Sequence, residues 1–327
     1  MKAICIWTLT LATLLAGGFV WAQEAAEEVP AVEKLTATDA NEAADANEAT
    51  KDAVLYTVGP IAVKESQLTG IIDSLPESIP AHKMDDIREG LTDRLIFAEL
   101  TKLFLADKDV TVSEDEVTAF KMGMQTLLQP RVSIEMVMAM QGMTEDSITT
   151  DISLAKYGKK AITEEKIDSM IIGHPSWFDG TTVEAGHILI KSDFTDTTAD
   201  QLAARKKVEK IRKAITDGKI TFAKAAEQYS SCPSSEKGGS LGSFRFHAMD
   251  VAFAEAAFAL KKDEMSDVVH SGFGFHLIKR TGSTEGGLKL EGETMEQARG
   301  IARHILQSRI RQQIGSNSLK TYPIKKK

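Results

Sequence analysis

The sequence predicts an α+β fold in which a mainly helical module accompanies a smaller domain with an antiparallel sheet. Short apolar runs at residues 187–190 and 275–279 have the length of β-strands, and helical repeats of apolar residues separate them. The segments on both sides of that region have mainly helical periodicity. A chain of 327 residues is long enough for two or three domains.

Composition limits the partners that the protein can have. The net charge of -8 argues against nucleic acid, because phosphate binding requires clustered Lys and Arg. The seven His are scattered and the two Cys lie far apart, so no metal-ligand spacing is present. We therefore expect no metal and no cofactor.

Residues 1–22 have the pattern of a signal peptide. Lys2 supplies a positive charge, an apolar run extends to about Val20, and Val20 and Ala22 are small residues at the -3 and -1 positions of a cleavage site. The prediction is an exported protein, periplasmic or secreted, in which Cys232 is the only remaining thiol. The alternative is an uncut anchor, which would be the only contact with a membrane.

Residues 23–52 are predicted to form a disordered acidic linker. The segment has few large apolar residues and repeats Asp-Ala-Asn-Glu-Ala at 39–43 and 45–49. Such a composition cannot bury enough apolar surface to offset the entropy lost on ordering. An acidic binding tail is the alternative.

Residues 53–180 are predicted to form the helical module. A β-prone run at 54–58, a Gly-Pro turn and a short return at 61–63 open it. Helical spacing then follows, with a capping box from Ser113 to Glu116 and two more helices, at 144–157 and 163–172.

Half of the twelve methionines of the chain lie between Met122 and Met143. Methionine is flexible and polarisable, so these side chains could fill the core of the module. The alternative is an adaptable surface for apolar segments of unfolded chains.

Residues 174–180 break the helical pattern, and residues 181–284 are predicted to form the α+β domain. After the strand at 187–190, helices are expected at 200–216, from Thr221, and at 251–260, before the closing strand. Residues 281–287 are expected to be a flexible exit. In the last segment, 285–327, a helix is predicted at 294–314 and a strand or tail at 319–324.

A series of motifs runs in order through this domain. It comprises Gly186-His187-Ile188-Leu189-Ile190, Ser231-Cys232-Pro233, Gly238-Gly239-Ser240-Leu241-Gly242, Met249, Phe253, and Ser271-Gly272-Phe273-Gly274-Phe275-His276. Together these resemble the parvulin family of peptidyl-prolyl cis/trans isomerases. The resemblance implies an antiparallel sheet with surrounding helices, and isomerisation of X-Pro bonds.

The resemblance also implies a set of site residues. Leu241, Met249 and Phe253 would line a slot for the proline ring, although each could be an ordinary core residue. His187 and His276 match the paired histidines of the family, with a catalytic or a structural role. The catalytic candidates are completed by Cys232, where the family has Cys or Asp, and by Ser271, where it often has Thr.

Two departures from the family pattern concern the rim of the site. Asp250-Val251 stands where the family commonly has Val-Pro, so the slot is expected to persist with an altered rim. The loop 192–198 lacks the basic cluster of phosphoserine-directed parvulins, which argues against phosphorylated substrates.

The layout of the whole chain resembles SurA- and PrsA-type exported foldases. The resemblance implies that residues 285–327 return to complete the helical chaperone-like module, so that the parvulin-like domain is inserted in it or follows it. Two functions are therefore expected: an isomerase that assists the folding of exported polypeptides with X-Pro bonds, or a non-catalytic holdase that uses the domain as a peptide clamp.

Overall fold

The computed structural model describes residues 52–73, 83–128, 133–140 and 143–327. The predicted signal peptide and, except for Asp52, the predicted acidic linker lie outside the described residues. Within the described ranges, no helix has both the length and the apolar character needed to cross a bilayer.

The region before residue 180 contains two antiparallel strands followed by helices, as predicted. These are β1 (Val54–Val58), β2 (Ile61–Lys64), α1 (Glu65–Ile72), α2 (Met84–Leu105), α3 (Glu114–Leu127), α4 (Ile134–Met140), α5 (Glu145–Ala161) and α6 (Glu164–Gly173). The hydroxyl of Ser113 accepts a hydrogen bond from the amide of Glu116. The carboxylate of Glu116 accepts one from the amide of Ser113, so the predicted capping box is present at the start of α3.

The next region alternates strands and helices. Its elements are β3 (Thr182–Lys191), α7 (Thr198–Thr216), α8 (Phe222–Tyr229), β4 (Ser240–Arg245), α9 (Val251–Ala259), β5 (Val269–Ser271) and β6 (Gly274–Thr284). The prediction of a flexible exit is wrong for residues 281–284, which continue β6. They do so because β3 begins earlier than predicted and provides a partner, Thr182 opposite Thr284.

The chain ends with α10 (Gly292–Lys320) and β7 (Ile324–Lys326). The strand or tail predicted at 319–324 is wrong for residues 319 and 320, which belong to α10, and the strand begins at Ile324. Strand β7 pairs antiparallel with β1 in a sheet of order β2-β1-β7. Both ends of the described chain contribute to one core, which includes Val58, Val63, Ile96, Leu100, Phe104, Ile314 and Ile324.

The four-stranded antiparallel sheet has the order β4-β3-β6-β5. Because side chains alternate along a strand, its two faces bury different residues. On one face Ile188, Ile190, Phe275 and Leu277 pack against α7 and α8. On the other face Val183, Ala185 and Ile278 pack against α9. By the same alternation, His187 and His276 lie on the α9 face.

The methionine-rich region fits both interpretations in part. Met124 is only 5% exposed and belongs to the core, whereas Met122, on the same helix, is 59% exposed. Packing in the core therefore explains Met124, whereas Met122 lies on the surface.

Candidate functional site

Two buried histidines lie side by side beneath α9. In the pairing of β3 with β6, His187 is opposite Ile278, two residues from His276, so the histidines are diagonal neighbours on one face. Their Nδ1 atoms are 3.2 Å apart. Both side chains are buried, so each ring is held by the sheet and by the elements that cover it.

A chain of hydrogen bonds joins Ser271 to this pair. The Oγ of Ser271 accepts a hydrogen bond from the amide of Phe273 at 3.1 Å and lies 2.7 Å from Nε2 of His276. Two arrangements of the protons fit these distances, because a hydroxyl both donates and accepts. In one, Oγ donates to Nε2 of His276 and Nδ1 of His276 donates to Nδ1 of His187, which leaves the proton of His187 on Nε2; in the other, both hydrogen bonds run in the opposite direction. Among the described residues, Nε2 of His187 has no hydrogen-bond partner.

Burial makes both histidines weak bases. Desolvation lowers the pKa of His187 to about 4. It lowers the pKa of His276 to about 3, with smaller effects from His187 and His270. Both imidazoles are therefore neutral near pH 7, so they can orient groups and accept or donate hydrogen bonds but hold no positive charge.

The predicted slot residues share one apolar cluster above the histidines. Phe253 is 4% exposed and packs with the half-buried Leu241 and Met249. Its ring is edge-to-face with both imidazoles, at 5.5 Å from His187 and 5.4 Å from His276. The structure thus brings together Leu241, Met249, Phe253 and the histidine pair.

Asp250 has a function in this site that the sequence analysis did not assign. Its carboxylate accepts the amides of Ala252 at 2.9 Å and Phe253 at 3.3 Å, so it is the N-cap of α9. The departure from the family pattern therefore replaces a proline-type helix start with a capped one. An Asp followed by an apolar helical run is an N-cap signature that was available in the sequence.

Cys232 lies in a loop that is bound to β3 by its backbone. Ser231 donates to the carbonyl of Leu189, and His187 donates to the carbonyl of Gly239 at 2.9 Å. Gly239 has a φ of 85°, and a Cβ there would lie 2.5 Å from the carbonyl oxygen of His187. The thiol is half-buried and forms no hydrogen bond among the described residues, so no hydrogen bond joins it to the histidine pair.

No group of three or more His, Cys, Asp or Glu in the described part of the chain is arranged to hold a metal ion. The residues that the structure brings together are an apolar cluster, two neutral imidazoles and a serine. Such a set can bind an apolar ring and orient dipoles around it.

Comparisons with known proteins give the relatives of this chain. The family model described as Rotamase, PPIC-type PPIASE domain, matches residues 187–282. The peptidyl-prolyl cis-trans isomerase Pin1 of Malus domestica is 40% identical over 118 residues, which are 32% of this chain and 96% of that protein. The foldase protein PrsA of a Staphylococcus aureus strain is 29% identical over 238 residues, 71% of this chain and 72% of the relative. A solved structure of PrsA from Bacillus anthracis is 23% identical, covers 69% of this chain and 94% of its own, and has a TM-score of 0.36.

Proposed function

Because the chain belongs to the parvulin family of peptidyl-prolyl cis/trans isomerases, and is such an enzyme, we propose that it rotates X-Pro bonds on the surface formed by Leu241, Met249 and Phe253. The observation that carries this assignment is the edge-to-face contact of Phe253 with both His187 and His276. This contact places the apolar ring of Phe253 directly against the two hydrogen-bonded imidazoles.

The reaction needs binding energy rather than a nucleophile. The uncatalysed barrier is about 18–20 kcal/mol, and no covalent bond forms or breaks during rotation. Each tenfold increase in rate requires about 1.4 kcal/mol of preferential binding to the twisted amide. A site that grips the proline ring and offers fixed dipoles to the rotated carbonyl meets this requirement.

The residues of the site divide these tasks. Phe253, Leu241 and Met249 hold the pyrrolidine ring by apolar contact. Ser271 and His276 fix the ring of His187. With Ser271 as the donor of this chain, the proton of His187 is on Nε2, where no other described residue binds it and it is available for a hydrogen bond. Cys232 supplies a polarisable sulfur beside the same strand, and no covalent intermediate is required of it.

We propose an exported foldase in which residues 53–180 and 285–327 form one chaperone-like module, with residues 181–284 inserted between its halves. The pairing of β1 with β7 and the shared core of α2 and α10 support this division. The signal-peptide pattern of residues 1–22 supports export to the periplasm or the exterior. The substrates are unfolded exported polypeptides with X-Pro bonds.

A second candidate is a holdase that grips unfolded chains without catalysis. Exposed apolar side chains on the helical module favour it, namely Met122 at 59%, Leu127 at 57% and Ile172 at 80% exposed. Removal of residues 185–280 separates the two functions. If that variant fails to suppress aggregation of an unfolded protein while residues 185–280 alone accelerate isomerisation of an X-Pro peptide, the holdase candidate is excluded.

The isomerase proposal is tested with the full chain and an X-Pro peptide in a protease-coupled or NMR exchange assay. The wild-type protein is expected to accelerate isomerisation, and Met249→Ala to lower kcat/KM. Absence of acceleration over the spontaneous rate by the wild-type protein would refute the proposal.

A further inference from the structure

Helix α10 contacts the isomerase region, residues 181–284, through four residues between 309 and 318. Arg309, Gln312, Gly315 and Ser318 recur every three residues, and each contacts a residue of 181–284. Ser318 exchanges hydrogen bonds with the side chain of Gln201. Each step of three residues turns the direction of the side chain by about 60° short of a full turn, so the four contacts wind about halfway around α10 from Arg309 to Ser318. We call this run of contacts, at residues 309–318, the seam.

At Gly315 the seam is close-packed. A Cβ built at this position would lie 2.4 Å from the ring of Phe194, in the loop between β3 and α7. This distance leaves no room for a side chain. Residues 181–284 therefore pack directly against α10, in addition to being connected to it through the backbone.

One contact of the seam reaches the helix that carries Phe253. Nε of Arg309 donates to Oε1 of Glu255 at 2.7 Å. Glu255 is two residues after Phe253, and two residues turn a helix by about 200°. Phe253 therefore points to the sheet while Glu255 points to α10, so α9 is held from opposite sides.

A second contact reaches the strand that carries Ser271. Nε2 of Gln312 donates to the carbonyl oxygen of His270 at 2.8 Å. His270 precedes Ser271 in β5, which has three residues and lies at the edge of the sheet. A short edge strand has one strand neighbour to hold it, so Gln312 supplies a second support next to the serine.

From these contacts we propose that Arg309 and Gln312 are positioning residues of the isomerase site. Arg309 acts through Glu255 on the apolar floor, and Gln312 acts through His270 on the Ser271–His276–His187 chain. The inference rests on the proposed isomerase function and adds that the C-terminal helix, outside the domain that contains the site, sets the geometry of both of its halves.

The two residues should affect different kinetic constants. Arg309→Met loosens the floor that binds the proline ring, so KM is expected to rise about fivefold with little change in kcat, equivalent to about 1 kcal/mol. Gln312→Ala loosens the polar chain that acts on the rotating amide, so kcat is expected to fall about fivefold. Both are measured on the full chain with a series of X-Pro peptide concentrations.

Two residues of the same helix provide matched controls. Arg303 pairs with Glu164 of α6, outside residues 181–284. Gln313 is exposed, beside Gln312. Arg303→Met and Gln313→Ala are expected to retain wild-type kcat and KM. If Arg309→Met and Gln312→Ala behave like these controls while the wild-type protein is active, the proposal is wrong and the isomerase function stands.

A double-mutant cycle tests the path through Glu255. Both side chains of the Arg309–Glu255 pair are about one-third exposed, so its loss should not unfold the chain. Glu255→Ala removes the acceptor of Arg309 and should raise KM as Arg309→Met does, and the double variant should raise it no further. Additive effects of the two substitutions would overturn the assignment of Arg309.

Discussion

The carboxylate of Asp250 accepts a hydrogen bond from the amide of Phe253, with 3.3 Å between Oδ1 and N. Asp250, the last residue before α9, thus binds the backbone of Phe253, a residue of the proposed proline slot. At this point of the chain, the N-cap of α9 and the proposed proline contact depend on the same carboxylate. The departure from the family pattern therefore provides an N-cap for α9.

Removal of this cap is expected to weaken both stability and substrate binding. Asp250→Ala leaves the amides of Ala252 and Phe253 without their acceptor, which should cost about 1 kcal/mol in the free energy of unfolding. KM for an X-Pro peptide should rise because the first turn of α9 frays. Urea unfolding and peptide kinetics measure the two effects.

Asp250→Asn and Asp250→Ser are the matched controls for this prediction. Both retain a side-chain oxygen that can accept from the helix amides, so both should keep most of the stability and activity. Equal losses in Asp250→Ala and Asp250→Asn would show that charge, and not capping, is what matters at this position.

The aromatic ring of Phe253 is expected to be required for proline binding. Phe253→Ala would leave a cavity costing about 3–5 kcal/mol and confound activity with unfolding. Phe253→Leu keeps apolar volume, so the fold should persist while kcat/KM falls about tenfold, equivalent to about 1.4 kcal/mol. Phe258→Leu, on the same helix, is the control, since Phe258 stacks edge-to-face with Phe246 and contacts neither histidine in the described ring pairs.

Ser271 is expected to determine which nitrogen of His276 carries the proton. Ser271→Ala removes both the donor to Nε2 of His276 and the acceptor for the amide of Phe273. The tautomer of His276 should shift from Nδ1–H toward Nε2–H, which ¹⁵N NMR of the imidazole detects. The unfolding free energy should fall by about 1–3 kcal/mol because buried polar atoms lose their partners.

Ser271→Thr tests whether a hydroxyl group at this position is sufficient for the interaction with His276. Threonine supplies the same hydroxyl, so the wild-type tautomer and activity should be retained. If Ser271→Ala leaves the ¹⁵N shifts of His276 unchanged, the proton assignment of the chain is incorrect.

Local interactions made much of the fold predictable from the sequence. Ser113, Thr144 and Thr163 were expected to begin helices, and each accepts an amide three residues later in the structure. These contacts need only neighbouring residues, and a single sequence contains them. The capping function of Asp250 was equally local, and it was overlooked because that residue was considered only as a change in the rim.

Contacts between distant residues were not predictable in this way. His187 and His276 are 89 positions apart, and no spacing rule brings them together; their pairing was expected from the family resemblance alone. The seam of α10 depends on residues such as Gly315 and Phe194 that have no sequence pattern in common. Only the packed structure shows that the C-terminal helix contacts the helix that carries Phe253 and the strand that carries Ser271.

The buried histidines should make the protein less stable as the pH falls. The pKa of His270 is lowered to about 4, chiefly by burial and secondarily by Arg205, and those of His187 and His276 are lowered to about 4 and 3. In the unfolded chain a histidine titrates near 6.5. Between pH 6.5 and about 4 the unfolded state therefore binds protons that the folded state does not, so the stabilisation present above pH 6.5 is lost progressively on acidification, by up to about 1.4 kcal/mol per pH unit for each histidine.

His270→Phe isolates one of these contributions without changing the proposed site residues. Nε2 of His270 has no partner among the described residues and its ring stacks on Phe275 at 4.2 Å, so phenylalanine should fit there. Urea unfolding at pH 7, 6 and 5 is expected to show that the free energy of unfolding falls less steeply with pH for His270→Phe than for the wild type. The other titrating groups are present in both proteins, so their contributions cancel when the two are subtracted. Parallel declines would mean that His270 is protonated equally in both states, contrary to its burial.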